Sequence, residues 1–155
     1  MGKVTLHHML DSTLESVDRV ESLALELATK AGFREASLDH IALAVHETTA
    51  NAVIHGNRYS REKKVSVEIS ITGNQFKITI GDQGDGFDPR TIPESCSPHE
   101  LLRASGRGVY LSRALMDEYS VQLRDTGGAE VTLIKYLQPP DLSSVKILHR
   151  EHCSL

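Results

Sequence analysis

Tryptophan is absent from this chain of 155 residues, and phenylalanine and tyrosine raise the aromatic content only to 5%. There is no basic run either, and 17 basic against 21 acidic residues leave a formal charge of −4. The chain therefore lacks both the stacking platform and the positive field of a nucleic-acid binder. No apolar stretch approaches the roughly 20 residues needed to span a bilayer. The opening Met1-Gly-Lys-Val-Thr-Leu-His-His has no apolar leader core. A cytoplasmic protein without membrane partners is the expectation. Only two cysteines occur, Cys96 and Cys153, far apart and in no ligand or redox spacing, so both are expected as reduced thiols. Eight histidines are present, but none falls in a Cys/His cluster of zinc-ligand spacing, and no structural metal site is expected from them. No Gly-x-x-x-x-Gly-Lys-Ser/Thr occurs, which excludes a P-loop nucleotide site.

The length and the 39% hydrophobic content suit one domain with a single core. Ser12-Thr-Leu-Glu15 has the pattern of a capping box. Val17, Val20, Ala24, Leu27 and Ala31 follow at steps of three and four, and Gly32 supplies a stop. A second helix is predicted from about Ser37 to His55, with Leu38, Ile41, Val45 and Ala52 inward and Gly56-Asn57 as its end. Val65, Val67, Ile69 and Ile71 alternate with polar residues, as do Phe76, Ile78 and Ile80. Gly73-Asn74 between them predicts a hairpin. Residues 88 to 105 hold three prolines and no sustained period, the signature of a functional lid or of disorder. Helix resumes at Gly108. Two more strands, Tyr119 to Arg124 and Glu130 to Leu137, flank Asp125-Thr-Gly127-Gly128. Residues 1–138 read as the domain, and residues 139–155, after Pro139-Pro140, as a polar tail.

Three short motifs carry chemistry. Glu47-Thr-Thr-Ala-Asn51-Ala-Val-Ile-His55-Gly56 places a carboxylate and an amide four residues apart, on nearly one helix face. Such an amide oxygen suits magnesium, a hard cation that takes its remaining ligands from phosphates and water. The carboxylate one turn earlier is placed to orient or deprotonate a nucleophile. The plainer reading is the polar edge of an amphipathic helix. Asp82-Gln-Gly84-Asp-Gly86-Phe87-Asp88 follows a strand, with Asp82 in phase with the buried residues and so in need of a partner. That partner is either an exocyclic amine such as adenine N6 or the backbone of a tight acidic turn. Gly106-Arg107-Gly108 opens a helix, where free amides favour an anion. It reads equally as a hinge with a surface arginine.

In order and spacing, these segments resemble the N, G1 and G2 boxes of the GHKL superfamily of ATPases and kinases, which includes histidine-kinase catalytic domains, gyrase B and MutL. Within it, the chain is most similar to the anti-sigma-factor serine/threonine kinases of bacterial partner-switching systems, over roughly residues 10 to 137. The resemblance implies the GHKL (Bergerat) ATP-binding fold, an α/β (α+β) two-layer sandwich with a mixed, mainly antiparallel sheet covered by helices on one face. It implies ATP and Mg2+ as cofactors, with Asn51 as the magnesium ligand, Glu47 as the catalytic base and Asp82 reading adenine. His55, Gly84, Gly86, Phe87, Gly106, Gly108 and Val109 would complete the cofactor pocket under a lid over residues 88 to 105. Arg103 or Arg107 would approach the phosphates. The implied substrate is a hydroxyl of a STAS-domain anti-anti-sigma factor, the other partner a sigma factor or another effector, and the assembly, by analogy, a homodimer. A clamp that binds ATP and a partner without transferring phosphate is the alternative on the same fold. One departure stands out: Gly128-Ala129 replaces a usual Gly-Thr, removing a hydroxyl near the expected adenine contact.

Overall fold

The computed structural model describes residues 2–84 and 107–137, the second span with its side chains from Val109 onward. Among these residues five strands and three α-helices form, in the order β1 (Val4–Asp11), α1 (Leu14–Lys30), α2 (Glu35–Asn51), β2 (Lys64–Thr72), β3 (Gln75–Gly81), α3 (Arg107–Leu115), β4 (Glu118–Leu123) and β5 (Ala129–Tyr136). The sheet order is β1-β2-β3-β5-β4, and each neighbouring pair is antiparallel. The expected two-layer sandwich is present, but its sheet is antiparallel throughout the described strands rather than mixed. The predicted hairpin β2–β3 forms, and the two later strands, β4 and β5, also pair antiparallel. β1 was not foreseen: its residues His7, His8 and Asp11 blur the alternation, yet it pairs with β2 along its whole length, Leu10 opposite Val65.

Residues opposite one another in an antiparallel pair share a face. On one face Val65, Val67, Ile69, Phe76, Ile78, Ile80, Val131 and Leu133 are buried beneath the helices. On the other, Ser66, Glu68, Lys77, Thr79, Glu130 and Thr132 look away from them. At about 25 cal/mol per Å² of apolar area removed from water, this alternation is what commits the strands to one face.

α1 buries Val17, Val20, Ala24 and Ala28, a stripe of the expected period. Its cap differs from the expectation. Thr13, not Ser12, takes the N-cap position, its hydroxyl accepting the Ser16 amide at 3.2 Å. The Ser12 hydroxyl instead donates to the Lys63 carbonyl at 2.6 Å. At the other end the Phe33 amide reaches the Ala28 carbonyl (3.0 Å) and the Gly32 amide that of Thr29 (3.1 Å), with Gly32 at φ +105°. That is a Schellman stop, which only glycine adopts without strain. It turns Phe33 inward to meet Phe76 edge-on, with ring centroids 6.2 Å apart.

α2 lies between α1 and α3 and carries the first motif. Its last stretch, Ala52–Gly56, winds as a π-helical turn, closed by the Asn57 amide on the Ala52 carbonyl at 2.8 Å. The predicted helix thus reaches the expected end, but wider. Such turns concentrate at functional sites. Among the described residues no helix is long and apolar enough to cross a membrane.

Candidate functional site

The site forms where β3 ends, β5 begins and α2 terminates. Asp82 stands one residue beyond β3, its amide bonded to the Ala129 carbonyl at 3.0 Å, so the strand pairing itself holds the residue in place. The carboxylate is buried, as its phase in the sequence required. Its Oδ1 accepts two amides, from Gly84 at 3.0 Å and from Ala129 at 3.3 Å. Among the described residues Oδ2 accepts none. Burial raises the Asp82 pKa above the ordinary carboxylate value, against the smaller opposing pull of those two amides, Arg124 and Lys63. A carboxylate so fixed presents its second oxygen to a donor that arrives from outside.

Glycine is required around it by close approach. A Cβ on Gly56 would fall on the Asp82 carboxyl group, one on Gly84 on the Gly56 carbonyl, and one on Gly128 on the Asp82 main chain. Gly128 also sits at φ +92°. The family resemblance implies Gly84 as part of the cofactor pocket. The neighbour that a Cβ there would meet is the backbone of Gly56, so this glycine locks the second motif against the end of the first.

Asn57 completes the lock and was read from the sequence only as a helix end. Fully buried, it donates through Nδ2 to the Ser12 hydroxyl (2.9 Å) and the Lys64 carbonyl (3.0 Å). Its Oδ1 accepts the Gln83 amide at 2.7 Å. One side chain thereby joins the starts of α1 and β2 to the loop after Asp82. Arg58 and Tyr59 follow at φ +51° and +58°, strained positions that the tightly held turn imposes.

Arg124 was also missed. From the open face of the sheet it donates to the Asp82 carbonyl (3.1 Å), the Ser66 hydroxyl (2.8 Å) and Glu130 (2.9 Å). Its head lies over Gly81, where a Cβ would collide with it. No sequence signal marks Arg124, because its partners come from three separate segments. It also borders a concavity of about 290 Å³ with Ser66, Glu68, Thr79 and Glu130. This hollow lies on the sheet face away from the helices, and so is not the cleft the motifs define.

Glu47 and Asn51 are both half-buried on α2. Neither side chain makes a hydrogen bond among the described residues, so the Asn51 amide oxygen and the Glu47 carboxylate are open to ligands. Both lie in the α-helical part of α2, where a rise of 1.5 Å per residue sets them about 6 Å apart along the axis, Asn51 being the nearer to Gly56. Between them Thr48 is buried and shares a hydrogen bond with Ser112 of α3 (3.1 Å), which in turn reaches the Ala44 carbonyl at 3.4 Å. This contact fixes α3, and with it Val109, which is buried, against α2. His55 is exposed at the π-helical turn. Arg107 and Gly108 open α3. Gly86, Phe87, Arg103 and Gly106, the lid expected over residues 88 to 105 and the tail 139–155 lie outside the described residues.

The Ala129 departure loses a hydroxyl but not support for Asp82, since its backbone amide bonds the carboxylate. Thr132, further along β5, is engaged elsewhere, with the Thr79 hydroxyl at 3.1 Å.

Comparison with known proteins bears on the family and the fold. Residues 10–135 match the Histidine kinase-like ATPase domain family. The chain is 31% identical over 117 residues to Serine-protein kinase RsbW of Bacillus licheniformis, covering 72% of each. It is 28% identical over the same length to Serine-protein kinase RsbW of Bacillus subtilis (strain 168). In fold it is similar to the RsbU and RsbW domains of Rv1364c from Mycobacterium tuberculosis, with TM-score 0.64 and 22% identity, over 88% of this chain and 33% of that one. The catalytic domain of histidine kinase ThkA gives a TM-score of 0.54 at 14% identity, over 88% of this chain and 96% of that one. With the first two motifs meeting at the end of α2 and the match running through almost the whole domain, the chain belongs to the histidine kinase-like ATPase family, on the branch whose curated relatives are serine-protein kinases.

Proposed function

We propose that this protein is an ATP- and magnesium-dependent serine/threonine kinase of a partner-switching system. Its substrate is a hydroxyl of a STAS-domain anti-anti-sigma factor, and it sequesters a sigma factor or another effector in the alternative branch of the switch, acting as a homodimer. The relatives named serine-protein kinase, at about 30% identity, support the reaction class. The observation that carries the reading is Asp82: a buried carboxylate whose Oδ1 is satisfied by two amides and whose Oδ2 remains for an incoming donor. The exocyclic amine of adenine is such a donor.

The residues present fit an adenine nucleotide and its metal. From a base at Asp82, against Gly56, α2 leads back past Asn51 to Glu47, about 6 Å further along its axis, the direction in which the phosphates of a nucleoside triphosphate would extend. Asn51, between the two, offers an unengaged amide oxygen to magnesium. When bound, the nucleotide supplies the phosphoryl group. Glu47 orients the substrate hydroxyl and takes its proton on a carboxylate oxygen. His55 and Val109 would border the pocket, the amides at the start of α3 suit an anion, and Arg103 or Arg107 is the arginine that the family resemblance assigns to the phosphates. Gly84, Gly86, Phe87, Arg103, Gly106 and Gly108 complete the nucleotide set.

The test is transfer of labelled phosphate from ATP to a STAS partner. Replacing a positioned general base costs about 10²- to 10⁴-fold in rate, so Glu47→Ala should lose transfer by that factor and keep ATP affinity within about twofold. Transfer at the full rate would remove Glu47 from the role. A stoichiometric complex with no label transferred by the unaltered protein would identify a clamp instead of a kinase.

A further inference from the structure

Away from the nucleotide cleft, α1 and α2 bring together three side chains that no sequence spacing links. Asp18 and Glu21 stand three residues apart on α1, and His46 faces them from α2. One ligand atom from each lies within 4.8 Å of the others. His46 Nδ1 and Glu21 Oε2 are 2.8 Å apart, their side chains 42% and 31% exposed, so solvent and ions reach the group.

We propose that Asp18, Glu21 and His46 form a binding site for a divalent transition ion of the zinc class. Three arguments lead there. The donor set is two carboxylate oxygens and one imidazole nitrogen. Imidazole selects zinc and its first-row neighbours over magnesium or calcium. The spacing is close to what a metal needs: at bond lengths of roughly 2.1 Å, ligands at tetrahedral angles stand about 3.4 Å apart. Rotation of the exposed Asp18 and the half-exposed Glu21 closes that difference. The charge balance also favours a cation, because two carboxylates face one another here and neither pairs with a lysine or arginine among the described residues.

In the metal-free form the ring holds its proton at Nδ1 and donates to Glu21. Metal ligation at Nδ1 leaves the ring proton on Nε2, and any second proton passes to solvent. Water fills the fourth position. The ion bridges α1 to α2 one residue before Glu47, at a site separate from Asn51.

The test uses the full chain, labelled with 15N and titrated with zinc chloride, and follows each imidazole in long-range proton–nitrogen correlation spectra. His149 and His152 give their own signals, so binding elsewhere is read separately. The His46 Nδ1 resonance should move saturably with the first equivalent of zinc, and a hundredfold excess of magnesium should leave it in place. Asp18 is exposed and makes no hydrogen bond among the described residues, so Asp18→Asn removes a ligand while its amide spectrum verifies the fold. That variant should bind at least tenfold more weakly at His46. A helix–helix contact between Glu21 and His46 alone predicts no such change. The proposal is overturned if His46 Nδ1 stays put in excess zinc, or if the Asp18→Asn titration superimposes on the original.

Discussion

Asp82→Asn separates binding from folding at the proposed adenine contact. The Gly84 and Ala129 amides point at Oδ1, so the asparagine must keep its oxygen there and place its NH2 group where Oδ2 stood. A donor then faces the adenine amine, itself a donor. A hydrogen bond to a charged group contributes about 1.5–3 kcal/mol, and each 1.4 kcal/mol is tenfold in affinity. The expected loss of ATP affinity is therefore about 10- to 150-fold, measured by calorimetry in millimolar magnesium. Stability should move the other way. The folded pKa of Asp82 is raised, chiefly by burial. Its contribution is thus fully present below the unfolded value of 3.8 and is lost as the pH rises through the folded one. At neutral pH the ionised carboxylate is a net cost that the neutral amide removes. The variant should melt at the same temperature or higher, with the gain vanishing toward pH 3. Unchanged ATP affinity would refute the adenine contact. A melting point several degrees lower would refute the account of the carboxylate's burial.

Two further substitutions probe the lock beneath the site. Gly84→Ala sets a methyl on the Gly56 carbonyl, where backbone must move. Overpacking of that kind costs about 1–3 kcal/mol, or roughly 2–12 °C in melting temperature for a domain of this size, readable by scanning calorimetry. Asn57→Ala leaves the Lys64 carbonyl and the Gln83 amide without their partner. A loss of about 2–4 kcal/mol is expected in urea unfolding, and a loss below 0.5 kcal/mol would show that the network is dispensable.

What could be read without coordinates was whatever the chain encodes at short range. The alternation of Val65, Val67 and Ile69, the stripe from Val17 to Ala24, and the turns at Gly73 and Gly127-Gly128 each fix an element through neighbours a few residues away. The phase of Asp82 on β3 even announced a buried acid that would need partners. The three motifs, recognised together, pointed to the family. β1 escaped because its alternation is diluted by polar residues, and pairing with β2 rather than its own pattern makes it a strand. The cap moved from Ser12 to Thr13 because Asn57 and the Lys63 carbonyl, both distant in sequence, claim the Ser12 hydroxyl.

Tertiary structure alone decided the rest. Arg124 bonds a residue 58 positions earlier, Asn57 reaches back 45, and Asp18, Glu21 and His46 share a corner only because α1 packs on α2. Periodicity reports which way a side chain points along its own element. Which side chains it then meets depends on how sheet and helices close over one core, and that information is not local.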